Sequence, residues 1–462
     1  MSLDRRQFTS LLPAAALAQT GAAPPPNILL ILSDDHSVPY LGCYGYPVRT
    51  PQLDRFAAEG LRFNKAFTAA PQCVPSRAAI LTGRSPVAAR MGRFNSPLPP
   101  DVLTLPELLK KQKGYYTGIA RRQYHLDGPG ANALGPVNKE IFDRHRLRTF
   151  DQRVDSLDTS GPRTATPKAV NAFLDRVPTG KPFFLWLNFN DPHHVWDQNA
   201  IPEPHDPAQL PLPKHLPDLP GVRADLGRYV DEVARMDEEF GWVMKILDDR
   251  GLKDSTLVLF MGDNGMAFPH GKGSLYDPGL NVPLLARWPG RITPGRTSDD
   301  LISGEDITPT LLNAAGATGP QEITGRSFLP HLLGRPYEAR KHIFGARLYH
   351  GSAPLAADSK ASLFDLSRCV RSARYKLIYN CTPQMEYQPV DSARDPGWTQ
   401  MVAAHREGKL DPAVDRTYFG KRPIFELYDL DRDPSELENL AGRPELAAVE
   451  RELKLALQEK MI

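Results

Sequence analysis

The sequence predicts a doubly wound α/β fold: one large domain with a smaller antiparallel-sheet subdomain at its C-terminal end. Three observations predict it. Short continuous apolar runs at 27–32, 182–189 and 256–260 each end in a polar cluster, as strands buried on both faces of a parallel sheet do. Segments with helical periodicity lie between them, which is the βα alternation of such domains. At 462 residues the chain also exceeds the length at which single cores usually stop growing, so an appended unit is expected.

Taken in order, the first residues read as an export leader. Asp4-Arg5-Arg6-Gln7-Phe8 has the form of a twin-arginine motif, 11–18 is a short apolar run, and Ala16-Leu17-Ala18 suits signal-peptidase cleavage. The leader is assigned to 1–26, with the mature chain beginning near Gln19, and a periplasmic destination is expected. No later segment approaches the roughly 20 uninterrupted apolar residues that a membrane-spanning helix needs, so no stable membrane insertion is expected. Pro24-Pro25-Pro26 closes the leader, and the apolar strand 27–32 delivers Asp34 and Asp35 at its C-terminal end. A helix follows, with Thr50 as N-cap, Pro51 at N1 and Leu53, Phe56, Ala57 and Leu61 along one face. The runs at 182–189 and 256–260 end in Asp191-Pro192-His193-His194 and Asp263-Asn264, and 226–247 between them reads as a long amphipathic helix. Beyond about 355 the texture changes to short strands at 369–372, 375–380 and 426–430 and a final helix from about Pro444. The catalytic domain is therefore placed at 27–355 and a C-terminal α+β subdomain at 356–462.

Charge and cysteine content narrow the function classes. A net charge of +2, from 56 Lys+Arg against 54 Asp+Glu, gives no reason to expect a nucleic-acid-binding surface. The four cysteines are too few for a disulfide scaffold. Cys369 and Cys381 flank a predicted hairpin and either pair or remain buried thiols.

Ligands collect where the strands of an open parallel sheet end. If the first and last apolar strands are neighbours, Asp34, Asp35, Asp263 and Asn264 converge there. An all-oxygen donor set favours a hard cation, Ca²⁺ or Mg²⁺, over zinc.

Cys73-Val74-Pro75-Ser76-Arg77, running on into Leu81-Thr82-Gly83-Arg84, resembles the Cys-x-Pro-x-Arg signature of the type I sulfatases. In that family a maturation enzyme oxidises the cysteine to formylglycine. The resemblance extends from Asn27 to Glu426-Leu427-Tyr428-Asp429-Leu430 and implies an alkaline-phosphatase-like large mixed sheet flanked by helices. It also implies bound calcium, with Cys73 sharing the metal site. Asp191-Pro192-His193, the segment 263–269 and Arg368-Cys369-Val370-Arg371-Ser372 look most like the branch containing the N-sulfoglucosamine sulfohydrolases. A helix starting near Ser76 would aim unpaired N–H groups and the positive end of its dipole at residue 73, where sulfate has to sit.

The resemblance implies roles for further residues. Arg77 fixes the aldehyde hydrate, His193 protonates the leaving group, and His194 lines the substrate wall. Gly271-Lys272-Gly273 with Tyr276 fits the segment whose lysine binds sulfate, which nominates Lys272. Arg122-Gln123-Tyr124-His125-Leu126 resembles a Gly-Lys-Trp-His-Leu element and nominates Arg122 and His125. It departs from that element in having Arg121 for Gly, Arg122 for Lys, and one extra residue before His125. The expected function is hydrolysis of sulfate esters or N-sulfamates of sulfated sugars from polysaccharides, with the formylglycine-generating enzyme as a partner. Two other readings stay open: a phosphonate or phosphate ester hydrolase on the same scaffold, and a non-catalytic carbohydrate-binding relative.

Overall fold

The computed structural model describes residues 24–93, 96–122, 126–127, 135–349 and 364–461. The twin-arginine segment, His125 and the expected boundary near 355 lie outside the described residues. The strands in chain order are β1 (Asn27–Ser33), β2 (Leu61–Phe63), β3 (Ala66–Phe67), β4 (Tyr116–Arg121), β5 (Ser156–Asp158), β6 (Phe183–Asn188), β7 (Thr256–Gly262), β8 (Leu284–Arg287), β9 (Arg296–Ser298), β10 (Ile302–Ser303), β11 (Ile343–Tyr349), β12 (Phe364–Arg371), β13 (Tyr375–Asn380) and β14 (Phe425–Asp429).

Eight of them form one sheet in the order β5-β4-β6-β1-β7-β8-β2-β9. The neighbours β5 to β7 are parallel, whereas β8 runs antiparallel to both β7 and β2, so the sheet is mixed. The three predicted apolar runs are its centre, β6-β1-β7. Alternate side chains of each strand enter opposite cores, as the two-residue strand period requires. Leu29, Ile31, Leu185, Leu187, Val258 and Phe260 pack on one face with Val233, Met236 and Phe240 of the 30-residue helix Pro220–Asp249. Ile28, Leu30, Phe184, Trp186, Leu257 and Leu259 pack on the other face, against Val74, Ala78 and Leu81 and the Leu105–Lys113 and Ile307–Ala314 helices.

The C-terminal sheet is antiparallel, in the order β11-β12-β13-β14, and the Ala447–Met461 helix covers it through Leu453 and Leu457. Its first strand, β11, precedes residue 355. Between β13 and β14 the chain leaves this sheet. Helices Pro396–Arg406 and Pro412–Phe419 insert Trp398, Met401, Val414 and Tyr418 into the large-domain core. All four cysteines are free thiols. Cys369 stands opposite Ile378, and the Cys381 N–H donates to the Leu366 carbonyl, so the two thiols are offset by three positions along the ladder. That offset is roughly 10 Å at the strand rise, beyond disulfide reach.

A buried ionic cluster joins the C-terminal sheet to the large domain. Lys376, with a fully buried side chain, lies 2.5 Å from Asp277 and 2.8 Å from Glu436, and Arg371 lies 3.1 Å from Asp277. Removing the lysine takes the paired cation from buried Glu436 and leaves Asp277 with Arg371 alone. Lys376→Ala is therefore expected to destabilise the fold by about 3–5 kcal/mol, read as a lowered urea midpoint with an unchanged m-value; an unchanged midpoint would show that the cluster contributes no net stability.

Candidate active site

Because β4, β6, β1 and β7 are adjacent and parallel, their carboxyl ends share one edge of the sheet. Ser33 of β1 is in register with Gly262 of β7, so Asp34-Asp35 and Asp263-Asn264 leave the sheet side by side. The Asp263 N–H donates to the Ser33 carbonyl (3.0 Å), and the Asp34 N–H to that of Asp191 (3.3 Å). Asp35 then turns the chain with φ of 60°, a left-handed conformation that aspartate tolerates better than most residues. Its N–H donates to Asp263 Oδ1 (3.1 Å). Arg121, at the end of β4, also has a left-handed φ of 70°. A glycine would adopt that conformation without strain.

The helix Cys73–Thr82 packs beneath this edge, and every one of its residues is buried. It begins at Cys73, three residues earlier than Ser76, because Pro75 in the first turn has no N–H to satisfy there and presets a helical φ. Gln72, its N-cap, makes no side-chain cap hydrogen bond, so the first-turn N–H groups point out of the helix end without an internal acceptor. The Cys73 thiol donates to Asp34 Oδ1 (3.3 Å). From the next turn Arg77 donates to Asp263 Oδ2 (2.8 Å), Asn188 Oδ1 (2.5 Å) and Asp34 Oδ2 (2.8 Å). Its planar fork thus ties three strand ends together.

Two further cations converge on the aspartates. Arg122 Nε lies 2.7 Å from Asp34 Oδ2, and its Nη1 donates to Asn190 Oδ1 (2.5 Å). Lys272 Nζ lies 2.8 Å from Asp35 Oδ1, 2.7 Å from Asp391 Oδ2 and 3.5 Å from His193 Nε2.

These neighbours divide the carboxylates. Burial alone would raise Asp34, but Arg122 and Arg77 outweigh it and hold the carboxyl well below its usual range. Burial wins at Asp35, pushed up to about 6 against the charge of Lys272, and at Asp263, pushed up to about 7 by burial and the negative charge of Asp34. Burial, then Asp34, drives the Cys73 thiol well above its ordinary value. His193 is pushed down to about 3 by burial and then by Lys272.

Oxygen donors for a cation converge here, with softer donors beside them. One ligand atom each from Asp34, Asp35, Cys73 and His193 can lie within 4.8 Å of one another. Asn264 Oδ1 is buried without a hydrogen-bond partner, although its amide nitrogen donates to Asp35 Oδ1 (2.9 Å). An orphaned carbonyl oxygen beside carboxylates that burial disfavours as anions is what an oxygen-liganded cation would satisfy. Asp263 is already engaged: Oδ1 accepts from the Asp35 and Asn264 N–H groups, and Oδ2 from Arg77.

Cys73, Arg77, Asp34, Asp35, Asp263, Asn264, Arg122, His193 and Lys272 are thus brought together. His194 pairs with Asp395 (2.8 Å) and meets the Trp196 ring edge-on. Sequence reasoning missed Asn188, Asn190 and Asp391. The asparagines end and follow an apolar run, a signal that could have found them. Asp391 lies in an irregular polar stretch with no such signal.

Comparison with known proteins identifies the family. Residues 26–317 match the Sulfatase family, and residues 268–411 match the family described as N-sulphoglucosamine sulphohydrolase, C-terminal. The chain is 30% identical to human N-sulphoglucosamine sulphohydrolase, covering 92% of this chain and 88% of that protein. It is 31% identical to human arylsulfatase A, covering 96% and 90%. Among solved structures, BT4656 in complex with its substrate D-glucosamine-2-N,6-O-disulfate superposes with a TM-score of 0.68 at 20% identity, covering 94% of this chain and 97% of that one. The fold is accordingly the alkaline-phosphatase-like one. The chain belongs to the sulfatase family and is a sulfuric ester hydrolase whose C-terminal part matches the sulfamidase branch.

Proposed function

We propose that this sulfatase removes sulfate from sulfated amino sugars, using a formylglycine made from Cys73 and a calcium ion held by Asp34, Asp35, Cys73, Asp263 and Asn264. The observation that carries the reading is the buried Cys73 side chain, set at an open helix N-terminus 3.3 Å from Asp34 and ringed by Arg77, Arg122 and Lys272. An aldehyde hydrate at this position supplies two hydroxyls on one carbon, one to take the sulfuryl group and one to expel it. Bound calcium supplies positive charge to orient the sulfate and neutralise its oxygens.

The chain's own residues do the rest. Arg77 holds Asp34 and Asp263 in place, and Asp263 is assigned the proton of the attacking hydroxyl. Lys272 and Arg122 bind sulfate oxygens, and the arrival of that anion beside His193 favours its protonated form. His193 then donates to the departing oxygen or nitrogen. His125 is assigned the proton of the second hydroxyl, and His194 a place on the substrate wall. Export through the twin-arginine leader, a periplasmic location, maturation by a formylglycine-generating enzyme, and division into 1–26, 27–355 and 356–462 complete the proposal. Among the described residues no helix is long and apolar enough to cross a membrane.

The test uses enzyme co-produced with a maturation enzyme and assayed side by side on glucosamine N-sulfate, glucosamine 6-O-sulfate and a phosphonate monoester. Sulfate release from an amino sugar faster than phosphonate cleavage is the expected result; faster phosphonate cleavage, or sugar binding without turnover, overturns it. The same assay tests the acid. His193→Ala is expected to slow amino-sugar hydrolysis by about 10²–10⁴-fold but 4-nitrophenyl sulfate much less, since nitrophenolate departs without a proton. Equal losses on both would remove His193 from that role.

A further inference from the structure

His193 sits on the loop that follows β6, and a general acid works only within hydrogen-bond reach of the atom it protonates. The loop is fastened on both sides of that histidine. Before it, the Phe189 N–H donates to the Leu32 carbonyl (2.8 Å), and Arg235 clasps the Asp191 carboxylate at 2.7 and 2.9 Å. After it, Trp196 donates from Nε1 to the Pro192 carbonyl (3.0 Å) and stacks on Phe268 with ring centroids 4.7 Å apart. His194, next to the acid itself, is fastened from the C-terminal part of the chain: its Nε2 lies 2.8 Å from Asp395 Oδ2.

Asp395 forgoes another role to make this contact. It is the N-cap of the Pro396–Arg406 helix, where an aspartate ordinarily accepts from the first-turn N–H groups, yet its side chain makes no cap hydrogen bond. Pro396 has no N–H, and the Gly397 N–H donates instead to Asp225 Oδ2 (2.8 Å) on the Pro220–Asp249 helix. An added Cβ at Gly397 would lie 2.6 Å from that oxygen, so the close approach needs a glycine. With the helix start capped from outside, the Asp395 carboxylate is free for His194. Only 18% and 10% of the two side chains are exposed, so water competes weakly for either partner.

We infer that Asp395 is a positioning residue for protonation of the leaving group: through His194 it fixes the segment that carries His193, so that the His193 imidazole stands within reach of the departing oxygen or nitrogen. It acts through the two histidines and not on the substrate. The segment between β13 and β14 thereby takes part in the acid step, beyond packing its helices on the large-domain core. The inference rests on the sulfatase reading and deepens it, since amino-sugar leaving groups are the kind that need a proton.

The experiment places Asp395→Ala, with Asp395→Asn as a milder second variant, in matured wild-type and His193→Ala enzyme and measures glucosamine N-sulfate and 4-nitrophenyl sulfate. Melting temperature and circular dichroism establish that each variant is folded; if the alanine variant is not, the asparagine variant is read by the same criteria. Because a small misplacement of a catalytic group is costly, kcat on the amino sugar is expected to fall by about 10- to 100-fold with KM little changed. The aryl sulfate is expected to fall at least about tenfold less, since nitrophenolate departs without a proton. In His193→Ala enzyme the same substitution should alter amino-sugar hydrolysis by no more than about twofold, because the group it positions is gone. Equal falls on both substrates, or a fall that persists without His193, would make Asp395 a structural residue only, and no fall would give it no role; each result overturns the inference alone. Wild-type enzyme that hydrolyses the aryl sulfate but no amino-sugar sulfate overturns the substrate reading and this inference together.

Discussion

Cys73→Ala enzyme is expected to lose about 10⁴-fold or more in kcat/KM, the scale on which removing an enzymic nucleophile acts. Cys73→Ser is expected to complete at most one turnover. The structure argues that the thiol itself is not the nucleophile. Reactive cysteines are stabilised thiolates, whereas burial and the neighbouring Asp34 outweigh the charge of Lys272 and keep the Cys73 thiol protonated. A serine in this place has one hydroxyl. It can accept a sulfuryl group but has no second hydroxyl on the same carbon with which to expel it. Burst kinetics would show one equivalent of nitrophenol per enzyme, and intact mass would show a sulfated Ser variant. Sustained multiple turnover by Cys73→Ser would sink the mechanism.

Removal of calcium is expected to abolish activity and lower the melting temperature together. Asp34, Asp35 and Asp263 are buried within hydrogen-bond reach of one another's neighbours, and the Asn264 carbonyl oxygen has no partner. Restoring the cation at about 100 times its Kd should stabilise the fold by about 2.7 kcal/mol. Asp35→Ala should flatten that response. Calcium is expected to outperform magnesium, because a site of several fixed carboxylate and amide oxygens suits the larger, more flexibly coordinated ion. Full activity and an unchanged melting curve after exhaustive chelation would remove the metal from the account.

How much of this was legible in the sequence follows from how local each signal is. β1, β6 and β7 are buried on both faces, so their apolar runs are continuous and the polar residues that end them stand out. That brings Asp34, Asp35, Asp263 and Asn264 to one edge once β1 and β7 are neighbours, an adjacency that the runs themselves do not encode. β2, β8 and β9 are three or four residues long, too short for a periodicity to register, although β8 makes the sheet mixed. The helix start at Cys73 carries no local signal, because Gln72 is not a capping residue type and Pro75 resembles a later entry point. Asp391 was invisible for a different reason. Its contact with Lys272 is made across the fold by a loop whose course depends on helices Pro396–Arg406 and Pro412–Phe419 docking on the large-domain core, and no pattern near 391 records that.

If Cys73 acts only after conversion, sulfatase activity must follow the mass of the peptide that carries it. Trypsin releases the segment Ala66–Arg77 as a single peptide with one cysteine. Its mass, measured in preparations made with and without a formylglycine-generating enzyme, reports the fraction of chains in which CH₂SH at position 73 has become CHO. The account predicts that sulfatase activity rises in proportion to that fraction and vanishes where the peptide is wholly an alkylatable thiol. Full activity from a preparation whose Cys73 is entirely unconverted would contradict it.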